Sequence, residues 1–146
     1  MVDPAYQPFL RKANGGSCDL TVRVLVEAGS LPDRRGLSRM FAGPSWSMCA
    51  DGEDRLILLD PPGVSRHPLW AARLDRDFVR VHVFCGERLK RRSGAATVLE
   101  NPLKYPLDQI LLMYALSRRR GAILHAAGVG IRGRAFLFAG PSGAGT

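Results

Sequence analysis

The chain reads as a mixed α+β fold, with a β-rich first part followed by one helix, one β-hairpin and a glycine-rich turn. Three observations carry this. Apolar residues, mostly valines, recur at every second position in 20–26 and 78–85, the repeat that lays one side of a strand on a core. Helix start and stop signals bracket residues 106–119. Two short apolar runs, 122–131 and 135–139, flank Arg132, Gly133 and Arg134 as strands flank a hairpin turn.

Residues 1–17 hold Pro4, Pro8, Gly15 and Gly16 among polar neighbours and read as a flexible lead-in to a β-rich region over 18–100. In its first strand Leu20, Val22, Val24 and Val26 alternate with Thr21, Arg23 and Leu25. Residues 29–36, with Pro32, form a loop, and 46–50 a short strand before the Asp51-Gly52 turn signal. The continuous apolar run at 55–60 predicts a short buried strand, ended by Pro61-Pro62-Gly63 and followed by an irregular stretch. Within 78–85, Val79, Val81, Val83 and Cys85 face inward, while Phe78, Arg80, His82 and Phe84 face outward. His82 is expected to be an ordinary half-exposed strand histidine.

The basic stretch 87–96 reads as a loop that separates this region from 101–146. Pro106 suits the first turn of the helix, and Asp108 lies near the positive end of its dipole. Arg118, Arg119 and Arg120 lie at the negative end, before Gly121. Leu107, Ile110, Leu111 and Tyr114 mark an apolar stripe that core packing alone explains.

Length and composition narrow the function classes. A chain of 146 residues makes about one domain, and 46% hydrophobic with 23% charged residues excludes whole-chain disorder. The longest apolar run, 110–116, is far short of the roughly 18 residues of a membrane span. With no signal-peptide pattern at the start, a cytoplasmic location is expected.

The net charge of +8 raises an anionic partner. Seven basic residues cluster in two bursts, Arg88, Lys90, Arg91 and Arg92, then Arg118, Arg119 and Arg120. Neither burst contains an aromatic stacking partner and no DNA-binding motif accompanies them, so nucleic acid is not the expected partner. Cys18, Cys49 and Cys85 are dispersed, as are His67, His82 and His125, so neither a disulfide framework nor a metal site is expected.

Chemistry concentrates at Gly140-Pro141-Ser142-Gly143-Ala144-Gly145-Thr146, directly after the strand-like 135–139. A strand running into a glycine-rich turn is the setting of a phosphate-binding loop. Glycines let successive backbone N–H groups turn inward toward phosphate oxygens. Gly140 and Gly145 have the separation of the phosphate-loop pattern, but Thr146 stands where its lysine belongs. On these residues alone, a plain glycine-rich turn competes with a phosphate site. Ser142 lacks the spacing of a hydrolase nucleophile elbow and has no identifiable triad partners.

Residues 101–145, from Asn101-Pro102-Leu103-Lys104-Tyr105-Pro106 through Leu124-His125-Ala126-Ala127-Gly128-Val129 to Gly140-Pro141-Ser142-Gly143-Ala144-Gly145, resemble the start of the kinase core of HPr kinase/phosphorylase-like proteins. His125, Gly140, Gly143 and Gly145 match positions of that family's pattern. The resemblance implies a phosphoenolpyruvate-carboxykinase-type nucleotide-binding fold, with ATP and Mg²⁺ as cofactors. It implies phosphorylation of a serine on a protein or peptide substrate.

His125 would then lie close to the transferred phosphate, the other reading being a histidine hydrogen-bonded beside a sheet. Residues 140–146 would cradle the nucleotide phosphates. Residues 18–100 are less specifically similar to the first part of HPr-kinase-related proteins. The family's lysine and downstream acidic residues are not encoded, so the expectation is an N-terminal portion, inactive by itself, truncated within the phosphate loop and prone to self-association. A basic, non-catalytic module that holds an acidic peptide or partner protein is the alternative.

Overall fold

The computed structural model describes residues 16–26, 31–60 and 67–141, together with Gln7. The expected lead-in at 1–17 therefore lies mostly outside the described residues. Among the described residues the molecule is mixed α+β and strand-rich, with one α-helix and several sheets.

The main sheet has six strands: β1 (Thr21–Leu25), β2 (Ser38–Ala42), β3 (Trp46–Asp51), β4 (Asp54–Leu59), β5 (Trp70–Leu74) and β6 (Arg80–Cys85). Their spatial order is β1-β6-β5-β4-β3-β2. Neighbours from β2 to β6 pair antiparallel along the chain, and β1 joins the far edge parallel to β6.

The register brings apolar side chains of every strand onto one face. Val24, Val83, Ala72, Ile57, Met48 and Phe41 form one row across it, with Val22, Val81 and Leu74 beside them. Helix α1 (Leu107–Arg118) lays Leu107, Ile110 and Leu111 on that face, with Leu89 and half-buried Tyr114 completing the cluster. The predicted stripe is the stripe that packs. On the opposite face Cys49, Leu56, Leu58 and Ala71 are covered by Leu31 and Leu37 from the 31–37 loop. Strands β4 and β5 are thus dry on both sides, so their sequences lose alternation and become nearly continuous apolar runs.

Three elements depart from the sequence expectations. Strand β5 lies where an irregular stretch was expected, because alanines give it little β propensity of its own and burial supplies the preference. Strand β2 was unmarked because a bulge at Met40, between Arg39 and Phe41, breaks its alternation. The expected loop at 87–96 contains a 3₁₀ turn (Glu87–Leu89) and strand β7 (Lys90–Ser93), which pairs with β8 (Ala96–Leu99) around Gly94. Last comes the hairpin of β9 (Ala126–Ile131) and β10 (Arg134–Ala139), as expected, with Arg134 as the first strand residue rather than part of the turn.

Two local devices fix the frame around α1. Asp75 ties the β5–β6 turn: its carboxylate accepts the amides of Val79 at 2.9 Å and Arg80 at 3.1 Å, and the Arg80 guanidinium lies 3.1 Å away. Burial alone would raise its pKa. The hydrogen bonds from Arg80 and Val79 outweigh that and hold the carboxyl below its ordinary value. In the same turn Phe78 takes a left-handed φ of 54° and stacks on Tyr114 with ring centroids 3.9 Å apart.

The helix ends in a Schellman motif. Gly121 N–H donates to the Leu116 carbonyl at 2.8 Å and Arg120 N–H to that of Ser117 at 3.1 Å. The left-handed position is taken by Arg120, φ 57°, where glycine is the usual occupant.

Arg120→Gly should therefore stabilise the protein by about 0.5–1 kcal/mol, read as a raised chemical-denaturation midpoint with unchanged slope. Asp75 has a lowered pKa in the folded state. Its contribution is accordingly complete above the unfolded carboxylate value of about 3.9 and is lost as pH falls through the lower folded value. Asp75→Asn should cost about 1–2 kcal/mol at neutral pH and flatten the loss of stability below pH 4, measured by urea unfolding across that range.

Candidate functional site

Three of the residues singled out by sequence, His125, Gly140 and Pro141, lie at one end of the β9–β10 hairpin. Its last register pair is Ala126 with Ala139, so the next residue on each arm is His125 on one side and Gly140 on the other. Antiparallel partners stand roughly 4.5–5.5 Å apart. The hairpin thus brings His125 beside the start of the glycine loop from 15 residues away in sequence. His125, Gly140 and Pro141 are all exposed. Ser142, Gly143, Ala144, Gly145 and Thr146 lie outside the described residues.

The opposite end of the hairpin is closed by two residues, Arg132 and Gly133, with φ of 49° and 74°. Positive φ at both central positions is the type I′ turn, whose twist matches paired strands, and glycine at the second position suits it without strain. On one face of the hairpin stand Ala127, Val129, Ile131, Arg134, Phe136 and Phe138, and on the other Leu137 with the small residues Ala126, Gly128, Gly130, Ala135 and Ala139. Every residue of both strands is exposed, with Leu137 at 62% and Phe138 at 64%.

A kinase of the resembled family needs a metal-holding set and a cation on the phosphates. Among the described residues no three of His, Cys, Asp and Glu come together in a way that could hold a metal ion. No lysine follows Gly145 in the sequence. Burial pushes the Cys85 thiol pKa up, against a weaker opposing effect of Lys90, which disfavours the reactive thiolate.

The two basic bursts are largely spoken for within the chain. Lys90 pairs with Glu87 at 2.7 Å and Arg91 with Glu100 at 3.0 Å. Arg118 donates to the Asp77 carbonyl, and Arg119 pairs with the Asp19 carboxylate. These contacts add little stability at an exposed surface, but they place an acid beside four of the seven clustered cations.

Sequence reasoning missed a different juxtaposition. The main-sheet register aligns Arg23 of β1, His82 of β6 and Arg73 of β5 in one row on the face opposite α1. Alternation in β1 and β6 placed the first two on outer faces, but β5 carried no such signal, so Arg73 had no assigned neighbour. No helix among the described residues is long and apolar enough to cross a membrane. No family model, curated protein or solved structure matches this chain.

Proposed function

We propose that the chain is the N-terminal portion of an HPr-kinase-like, ATP-dependent serine kinase acting on a protein or peptide. In this reading β9–β10 is the hairpin that presents the nucleotide-phosphate loop, and the fold begins a phosphoenolpyruvate-carboxykinase-type core. The observation that carries the reading is the state of that hairpin. Both of its faces are apolar apart from Arg134 at the turn end, every residue is exposed and neither outer edge is paired among the described residues.

An isolated two-stranded hairpin is marginal in water, and strands apolar on both faces belong to sheets covered on both sides. Strands of nucleotide-binding α/β sheets have that environment, with the phosphate loop leaving the end of a central strand. Here Gly140, the first of the loop glycines, directly follows β10, and His125 directly precedes β9 at the same end of the hairpin. Helix α1 adds to the uncovered surface through Leu112 and Met113, each more than half exposed.

Backbone amides of residues 140–145 would face the phosphates in this reading, and His125 would be the titrating group nearest the transferred phosphoryl. When bound, ATP supplies the phosphoryl group. The 146 residues supply one wall of its site.

Isothermal titration with MgATP tests the proposal. The 146-residue chain should bind weakly at best, whereas Thr146→Lys followed by an added Ser and the next turns of helix should gain at least tenfold, since a hydrogen bond to a charged group contributes about 1.5–3 kcal/mol. An extended chain with no gain removes the kinase reading. The uncovered hairpin makes a separate prediction for the chain as it stands. Sedimentation should show concentration-dependent association, reduced by Leu137→Lys together with Phe138→Lys. A monomer at all concentrations that melts in one reversible transition would contradict it.

A further inference from the structure

We infer that the β1 edge of the main sheet, with Arg23 at its centre, is a docking site for an extended acidic peptide that adds to the sheet as a seventh strand. This surface belongs to a different sheet from β9–β10 and does not depend on the kinase reading. It begins with register: Arg23, His82 and Arg73 lie directly across three adjacent strands on one face. Two arginines thus flank a histidine across the sheet, and an acid placed beside Arg23 would meet an opposite charge at cross-strand spacing. Asp51 meets Arg73 at 2.8 Å, while the Arg73 Nε is buried without a hydrogen-bond partner among the described residues. Arg23 and His82 are exposed and neither is part of an ion pair among the described residues, while Asp75, on the same face, is held by Arg80.

The bursts at 88–92 and 118–120 do not offer the same opportunity, because acids of the chain already sit beside four of their cations. Charge complementarity therefore points to the sheet face. The backbone says how a partner would lie there. Among the described residues β1 pairs only with β6, so its other edge presents unpaired N–H and C=O groups. β2, at the opposite edge, carries a bulge that disturbs its pairing pattern, whereas the β1–β6 register runs without a break.

A strand added at β1 would place alternate side chains opposite Arg23 on one face and opposite half-buried Val22 and Val24 on the other. The fitting peptide alternates acidic and apolar residues, with an acid at its centre. Main-chain bonds would supply affinity and the Arg23 row would select sign and register.

Fluorescence anisotropy of the full chain with a labelled nonapeptide alternating Glu and Val, and with its Lys-Val counterpart, tests this. The acidic peptide should bind more tightly than the lysine peptide. Arg23→Gln should weaken the acidic peptide about three- to tenfold, and Arg23→Glu should reverse the preference toward lysine. Both variants change an exposed side chain, and unchanged circular dichroism confirms the fold. An acidic peptide N-methylated at alternate residues, its charge intact, should bind at least tenfold more weakly. The proposal is overturned if the native chain shows no charge preference, if Arg23→Glu leaves the preference unaltered, or if N-methylation has no effect. Capture of phosphatidylserine vesicles without any peptide binding would overturn it as well.

Discussion

The structure depends on the exclusion of water from both faces of β4 and β5. Leu56, Ile57, Leu58, Trp70, Ala71 and Ala72 are all at most 2% exposed, and they come from two adjacent strands with α1 on one side and the 31–37 loop on the other. Backbone groups in such a dry centre must be paired along both edges of each strand. That requirement recruits β3 and β6 as inner neighbours, and only then can the sheet afford half-exposed strands at β1 and β2. The β5–β6 turn, held by Asp75, and the Phe78–Tyr114 stack lock the same centre to the helix.

The terminal hairpin obeys the same chemistry without having its conditions met. Its strands are as apolar as β4 and β5, yet no described element covers them. One molecule thus contains a satisfied and an unsatisfied version of the two-faced strand. The contrast is why the functional reading rests on β9–β10 rather than on the main sheet, whose cations and open edge speak instead for a protein partner. Two surfaces of different character, one glycine-rich and one cationic, lie in different sheets.

Legibility in the sequence followed local physics. β1, β6 and α1 were visible because a half-buried element writes its period into the chain: the valines of β6 and Leu107, Ile110 and Leu111 are buried, and Tyr114 is half-buried beside them. β3 and β4 were visible through the turn between them, which falls at Gly52 and Glu53. β5 was not, because its state is imposed by neighbours on both sides, and β2 was not, because one extra residue shifts its phase. β7 and β8 were hidden by charge, since a solvated ribbon has no apolar pattern to show. At the site, the glycines and His125 were legible as residue types. Their approach through the Ala126–Ala139 pair follows from hairpin register, and the Arg23–His82–Arg73 row needed the three-dimensional order of strands.

The parallel position of β1 has a bearing on how the molecule assembles. Strands β2 to β6 are neighbours both in sequence and in the sheet, whereas β1 must close a span of more than 50 residues to reach β6. Closing so long a loop costs chain entropy before any contact rewards it. On that ground the meander is expected to form before β1 joins it, and the backbone of β1, at the rim of the sheet, to open more readily than that of β4 and β5.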